Sequence, residues 1–249
     1  MTETSSSSTA PTNAAAAASL VKLLGLGHAP VAMAFRDAAP AGLPRLARAG
    51  PSSCSYWKLA AEGHAFYTEA ADHKGCLVGA YTHGVALAPA EGKELEGLIG
   101  TMAGLSYLDP AEVAGIPHRG SPLAVALYAP LAGAAFEADL VLVRCAARQA
   151  MLVAEAARAA GAPAAMPAML RPTCALLPET LASGRPGMSL ACVGNRVYTG
   201  LADDEMYVAI PGARLGAVAA ALATVVEANR ALEGFHGQRK AAIGPAVAS

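Results

Sequence analysis

Apolar positions along this chain fall into two periods that alternate from one end to the other. "PVAMAF" (30–35), "SPLAVALYAPL" (121–131), "ADLVLVRC" (138–145) and "EMYVAIPG" (205–212) are short apolar runs with Val, Ile and Tyr, the pattern of buried strands. "HAFYTEA" (64–70) predicts a further short strand, and "APAAMPAML" (162–170), "MSLACVG" (188–194) and "RVYTGL" (196–201) predict short extended pieces. Between them lie stretches of good helix formers: "AAAAASLVKLL" (14–24), "SSCSYWKLAAEG" (52–63), residues 94–115, "AARQAMLVAEAARAAG" (146–161) and "ARLGAVAAALATVVEANRAL" (213–232). Ser caps precede the second, and Gly63 and Gly161 close the second and fourth. "RVYTG" and "EMYVAIP" flank "LADD", which predicts a hairpin in which Arg196 faces Asp203, Asp204 and Glu205.

Strands and helices interleave without a regular βαβ rhythm. The fold expected is α+β or mixed α/β, one globular domain of short mixed strands packed against Ala-rich helices. Residues 1–13, rich in Ser, Thr and Pro, are expected to be a disordered tail, 14–235 the domain, and 236–249 a flexible tail. No repeat of fixed period is present.

Composition narrows the function classes. Hydrophobic residues make up 54% and charged residues 15% of 249, so the chain can build a large core. Its formal charge of -1, without a Lys/Arg cluster, argues against a nucleic-acid partner. No uninterrupted apolar run reaches the roughly 18 to 20 residues of a membrane span. The N-terminus lacks a basic leader and carries Glu3, so a cytoplasmic location is expected. There the five cysteines are expected to be reduced: core thiols, reactive thiols or metal ligands.

Local context separates these cysteines. Cys145 ends an apolar run and reads as core. Cys54 sits in a Ser-rich helix start, where unpaired N–H groups lower a thiol pKa. Cys76 lies in a Gly-flanked loop beside His73 and Lys74, Cys174 follows "RPT", and Cys192 precedes Gly-Asn-Arg. No CxxC pair is present, so the spacing signature of zinc ribbons and ferredoxins is missing. Walker, GxGxxG, GxSxG and HExxH motifs are missing too. His28, His118 and His236 read as ordinary loop or surface residues. His73 and His83, which bracket Cys76, are candidates for a base or a ligand, and Arg196 for binding a carboxylate or phosphate by its planar fork.

The strings "PVAMAF", "SCSYWKLAAEGHAFYTEAADHKGCLVGAYTHG", "EADLVLVRCAARQAMLVAEAA", "RPTCALLPETLASGRPGMSLACVGNRVYTG" and "DDEMYVAIPG" stand in an order that resembles the domain-of-unknown-function 169 family, over roughly residues 20 to 230. The resemblance implies that Cys54, Cys76, Cys174 and Cys192 match the family's cysteine positions and that Cys145 is additional. Thiolates from four distant segments suit an iron–sulfur cluster (4Fe–4S) or zinc. The leading expectation is therefore a cysteine-ligated metal or cluster protein, an enzyme or not, with Arg196 toward a small anionic substrate. Two alternatives stay open: a metal-free thiol enzyme with Cys54 as nucleophile and His73 or His83 as base, and a non-catalytic small-molecule binding protein. Homo-oligomerisation is left open.

Overall fold

The computed structural model describes residues 9–246 except residue 164, with side chains described from residue 13 onward. The expectations for residues 1–8 and 247–249 lie outside these described residues. Seven strands form one sheet in the order β2-β3-β1-β4-β7-β6-β5. They are β1 Val31–Arg36, β2 Phe66–Glu69, β3 Val125–Pro130, β4 Leu140–Ala146, β5 Ala168–Met169, β6 Gly187–Ser189 and β7 Glu205–Pro211. Neighbours run antiparallel except β5 and β6, which are parallel. This is the mixed α+β architecture that the interleaved pattern predicts.

Side chains alternate across the central strands, and each face builds its own core. On one face Ala32, Ala34, Leu127, Val141, Val143, Val208 and Ile210 pack against three helices, α1 (Thr9–Leu24), α5 (Ala147–Ala159) and α8 (Gly212–Ile243). Those helices present Ala16, Ala17, Ala150, Ala156 and Ala157 together with Leu20, Val153 and Leu222. Alanine lets the helix backbones approach the sheet closely, so the Ala excess in the composition is spent on this layer. Gln149 fastens it: its side chain accepts from the Ala146 N–H at 2.7 Å and donates to the Leu24 carbonyl at 2.9 Å.

The opposite face carries Val31, Met33, Tyr128, Leu140, Leu142, Tyr207 and Ala209. Above it lie short helices: α2 (Ser53–Ala61), α3 (Leu77–Thr82), α6 (Leu176–Ser183) and α7 (Val193–Thr199). The four cysteines taken as candidates all belong to this layer. Cys145 projects to the other face, into the Ala-rich core.

Three local expectations are corrected. Residues 193–199 form helix α7, not a strand and turn. The Thr199 hydroxyl donates to the Asn195 carbonyl at 2.8 Å, and the helix stops at Gly200, whose φ of 65° is left-handed. The helix expected over 94–115 is α4, Pro89–Gly104, followed by a separate 3-10 segment at Pro110–Gly115. Helix α8 runs on to Ile243, well into the segment expected to be a flexible tail. Its 32 residues, with a best 18-residue mean hydropathy of 1.3, are long and apolar enough to cross a membrane. Leu215, Val218, Leu222 and Val225 of that helix are nevertheless buried in the core.

Candidate functional site

Each of the four cysteines stands where a helix begins. Cys54 is the second residue of α2, whose Ser52 cap accepts the Ser55 N–H at 3.3 Å. Cys76 immediately precedes α3, and Cys192 immediately precedes α7. Cys174 sits in the 3-10 turn Thr173–Ala175 that leads into α6. Helix α2 packs on both α3 and α7, and α3 packs on the 3-10 turn. The circuit closes where the Cys192 N–H donates to Thr173 Oγ1 at 2.6 Å. Reaching that position puts Ala191 in the left-handed region at φ 68°, a backbone strain of roughly 1 kcal/mol stored beside the cysteine.

The electrostatics agree with this convergence. Burial pushes the Cys54 thiol well above its ordinary range; Cys174, Cys192 and Cys76 push it the same way, and a hydrogen bond to Asn195 opposes them. Burial raises Cys174 to about 12, with Cys76 and Cys192 adding to the rise and a Thr82 hydrogen bond opposing it. Cys54 and Cys174 are buried, while Cys76 and Cys192 are half-buried, so the group opens toward solvent on one side. Cys145, also raised to about 12, owes its shift to burial and then to Glu205, with none of the other thiols contributing. Among the described residues no three or more His, Cys, Asp or Glu side chains are gathered tightly enough to hold a single metal ion.

His73 is fully buried beneath α2, and both of its ring nitrogens are engaged. Ser53 Oγ lies 2.8 Å from Nδ1 and Thr68 Oγ1 lies 2.8 Å from Nε2. Burial, reinforced by His83, holds its pKa well below 6.5, so it is neutral. Its hydrogen bonds tie β2 to α2, and neither nitrogen is directed at Cys54. His83 closes α3; its Nδ1 lies 2.6 Å from the Gly79 carbonyl, and burial lowers its pKa to about 4.

Arg196 turns away from the thiols toward main chain. Its guanidinium donates to the carbonyls of Ala202 (2.5 Å), Leu190 (2.7 Å) and Glu205 (3.2 Å), fastening both ends of α7 to β7. The acidic partners expected for it behave otherwise: Glu205 pairs with Arg144 and is approached by His28 at 3.7 Å. The Arg196→Ala variant is therefore expected to lose about 1–2 kcal/mol of stability, read as a lower urea midpoint, because three charge-assisted bonds to half-exposed carbonyls disappear.

Several groups that shape the site were not singled out from the sequence: Ser53, Thr68, Thr82, Thr173 and Asn195. Asn195 follows Cys192 by three positions, and that spacing places both on one side only if the segment is helical. Reading "VGNRVYT" as extended hid the relation.

Among known protein families, the profile of domain of unknown function 169, described as "Uncharacterised ArCR", matches residues 19–221. No curated protein and no solved structure matches the chain. A match spanning both faces of the sheet and all four converging cysteines places the whole fold inside one family: the chain belongs to the domain-of-unknown-function 169 family.

Proposed function

We propose that Cys54, Cys76, Cys174 and Cys192 are the ligands of a [4Fe–4S] cluster, and that the protein is a cysteine-ligated cluster protein serving a small anionic substrate. The observation that carries this reading is the closed circuit of helix starts, which brings four thiols from four separate segments into one another's electrostatic reach. Four thiols in a half-buried setting are costly to ionise together unless a cation compensates them, and a cluster's iron supplies that charge.

Zinc is the other group that four thiolates suit. A tetrahedral zinc with Zn–S of about 2.3 Å needs its sulfurs about 3.8 Å apart. In a cubane cluster each thiolate binds its own iron, so the ligands spread further. The surroundings suit a cluster. Trp57 Nε1 is a buried N–H donor without a hydrogen-bond partner among the described residues, and Asn195 hydrogen-bonds the Cys54 thiol. Each lies three residues after a cysteine, one turn along α2 and α7 respectively. N–H groups near cluster sulfur tune its reduction potential.

Anaerobic reconstitution with ferrous iron and sulfide tests the proposal. About four irons and four sulfides per chain are expected, with a broad visible absorbance. Replacing any one of the four cysteines by Ser is expected to lower iron retention several-fold, whereas Cys145→Ser leaves it unchanged. A chain that retains no iron, or that loses it equally with Cys145→Ser, overturns the assignment.

A further inference from the structure

The segment 116–124 crosses the end of α3, where the Arg119 N–H donates to the Thr82 carbonyl at 3.0 Å and the Leu123 N–H to the Gly84 carbonyl at 3.0 Å. This crossing lays the Arg119 guanidinium over the Phe35 ring, 4.1 Å from its centre. The His83 ring lies 6.2 Å from the same phenyl ring. Phe35 is thus the floor on which two polar side chains, one from the end of α3 and one from the connecting segment, come together.

Each of the two brings a buried polar atom that has no hydrogen-bond partner among the described residues: His83 Nε2 and Arg119 Nη1. His83 is fully buried, and Arg119 Nη2 alone is used, donating to Ser121 Oγ at 3.0 Å. Burying one such atom unpaired costs about 1–3 kcal/mol, so two side by side indicate a recognition surface. Asp37 and Asp139 lie in the wider surroundings of Arg119, but neither is within ion-pair distance of it, and Asp139 is committed to Arg36 at 2.9 Å and to the Phe35 N–H at 2.7 Å.

The hydrogen-bonding roles are fixed by what these groups already do. The Gly79 carbonyl can only accept, so His83 Nδ1 carries the proton and Nε2 presents a lone pair. Arg119 Nη1 can only donate. The complement of one cationic donor and one acceptor is an anionic oxygen joined to a nearby hydroxyl. We propose that His83 Nε2 and Arg119 Nη1 form a binding site for a small hydroxylated oxyanion, a 2-hydroxycarboxylate or bicarbonate. The anionic oxygen meets Arg119, and the hydroxyl donates to His83. Through Thr82, which bonds Cys174 and precedes His83, the site adjoins the thiol group. It depends on none of the thiols being metallated.

Isothermal titration of the full-length, iron-free chain at pH 7 tests this inference, with glycolate, bicarbonate and acetate as probes. Acetate matches glycolate in charge but offers no proton to His83. Saturable binding of glycolate or bicarbonate is expected, with acetate at least about tenfold weaker, since a site built around a hydroxyl rejects the analogue lacking it. Whichever of the two binds identifies the source of the oxyanion. Arg119→Met, a change at a half-exposed residue whose fold is checked by circular dichroism, is expected to abolish binding of both. His83→Phe is expected to bring glycolate down to the level of acetate. Lack of saturable binding, equal affinity for glycolate and acetate, or unchanged affinity in Arg119→Met overturns the site. Because no iron is present, these outcomes are independent of the cluster assignment.

Discussion

Lowering the pH from 6.5 to 4 is expected to cost the folded protein more than about 3 kcal/mol of stability. Two imidazoles, His73 and His83, are fully buried and held neutral. In the unfolded chain both take up a proton near pH 6.5; in the folded chain His83 does so only near 4, and His73 is likewise held well below 6.5. The unfolded state therefore binds more protons throughout this window, and stability falls as the pH falls. At about 1.4 kcal/mol per pH unit, the span from 6.5 to 4 for His83 alone corresponds to roughly 3 kcal/mol. His73 adds to it in the same direction. Glu205 and Glu91, both held below the ordinary 4.5, begin to lose their contributions only near pH 4.5 and below, so the loss between pH 6.5 and about 5 belongs to the histidines. Urea unfolding between pH 7.5 and 4 checks this: a flat stability across that range would refute it, and His83→Gln is expected to remove roughly half of the slope.

That His73 would be a structural neutral imidazole, not a base, could not be read from "DHKG". Its two partners are Ser53 and Thr68, twenty residues upstream and five residues upstream, brought together only when β2 pairs with β3 and α2 folds across the sheet. The strands, by contrast, were legible because an apolar run such as "LVLVRC" has one use in a sheet covered on both faces. The cysteine grouping was legible only through the family resemblance, since no short spacing announces four ligands scattered over residues 54 to 192. What misled the reading at Arg196 was the hairpin expected around it. A guanidinium at a turn rich in Asp and Glu suggests a charged loop, whereas as the fourth residue of a seven-residue helix it reaches back to carbonyls at both ends. Arg119 sits in a segment without periodicity, and only the crossing over α3 gives it Phe35 and His83 as neighbours.

Replacing Gly212 by Ala is expected to be among the most destabilising single changes in the chain. Gly212 joins β7 to α8, and its N–H donates to the Asp139 carbonyl at 2.8 Å at the start of β4. An added Cβ would overlap the Ala138 carbonyl oxygen and lie 2.8 Å from the Ala138 carbonyl carbon. The obstacle is main chain, and it cannot swing aside as a side chain would. Ala138 leads directly into β4, which is held between β1 and β7. Relief would require shifting a central strand or lifting the first turn of α8 away from its buried Leu215 and Val218. A loss of roughly 3 kcal/mol or more follows, at or above the usual cost of an overpacked core. Gly216 supplies the contrast. It lies one turn further along the same helix, with nothing within 4 Å of where a methyl group would stand, so Gly216→Ala is expected to gain about 0.5–1 kcal/mol from helix propensity. Urea midpoints of the two variants should therefore move in opposite directions; movement in the same direction would show that the β7–α8 joint is softer than its geometry implies. On the cluster proposal the Gly212 variant should also retain less iron on reconstitution, since β7 carries Tyr207 on the face beneath the thiols and the Glu205 carbonyl that anchors Arg196.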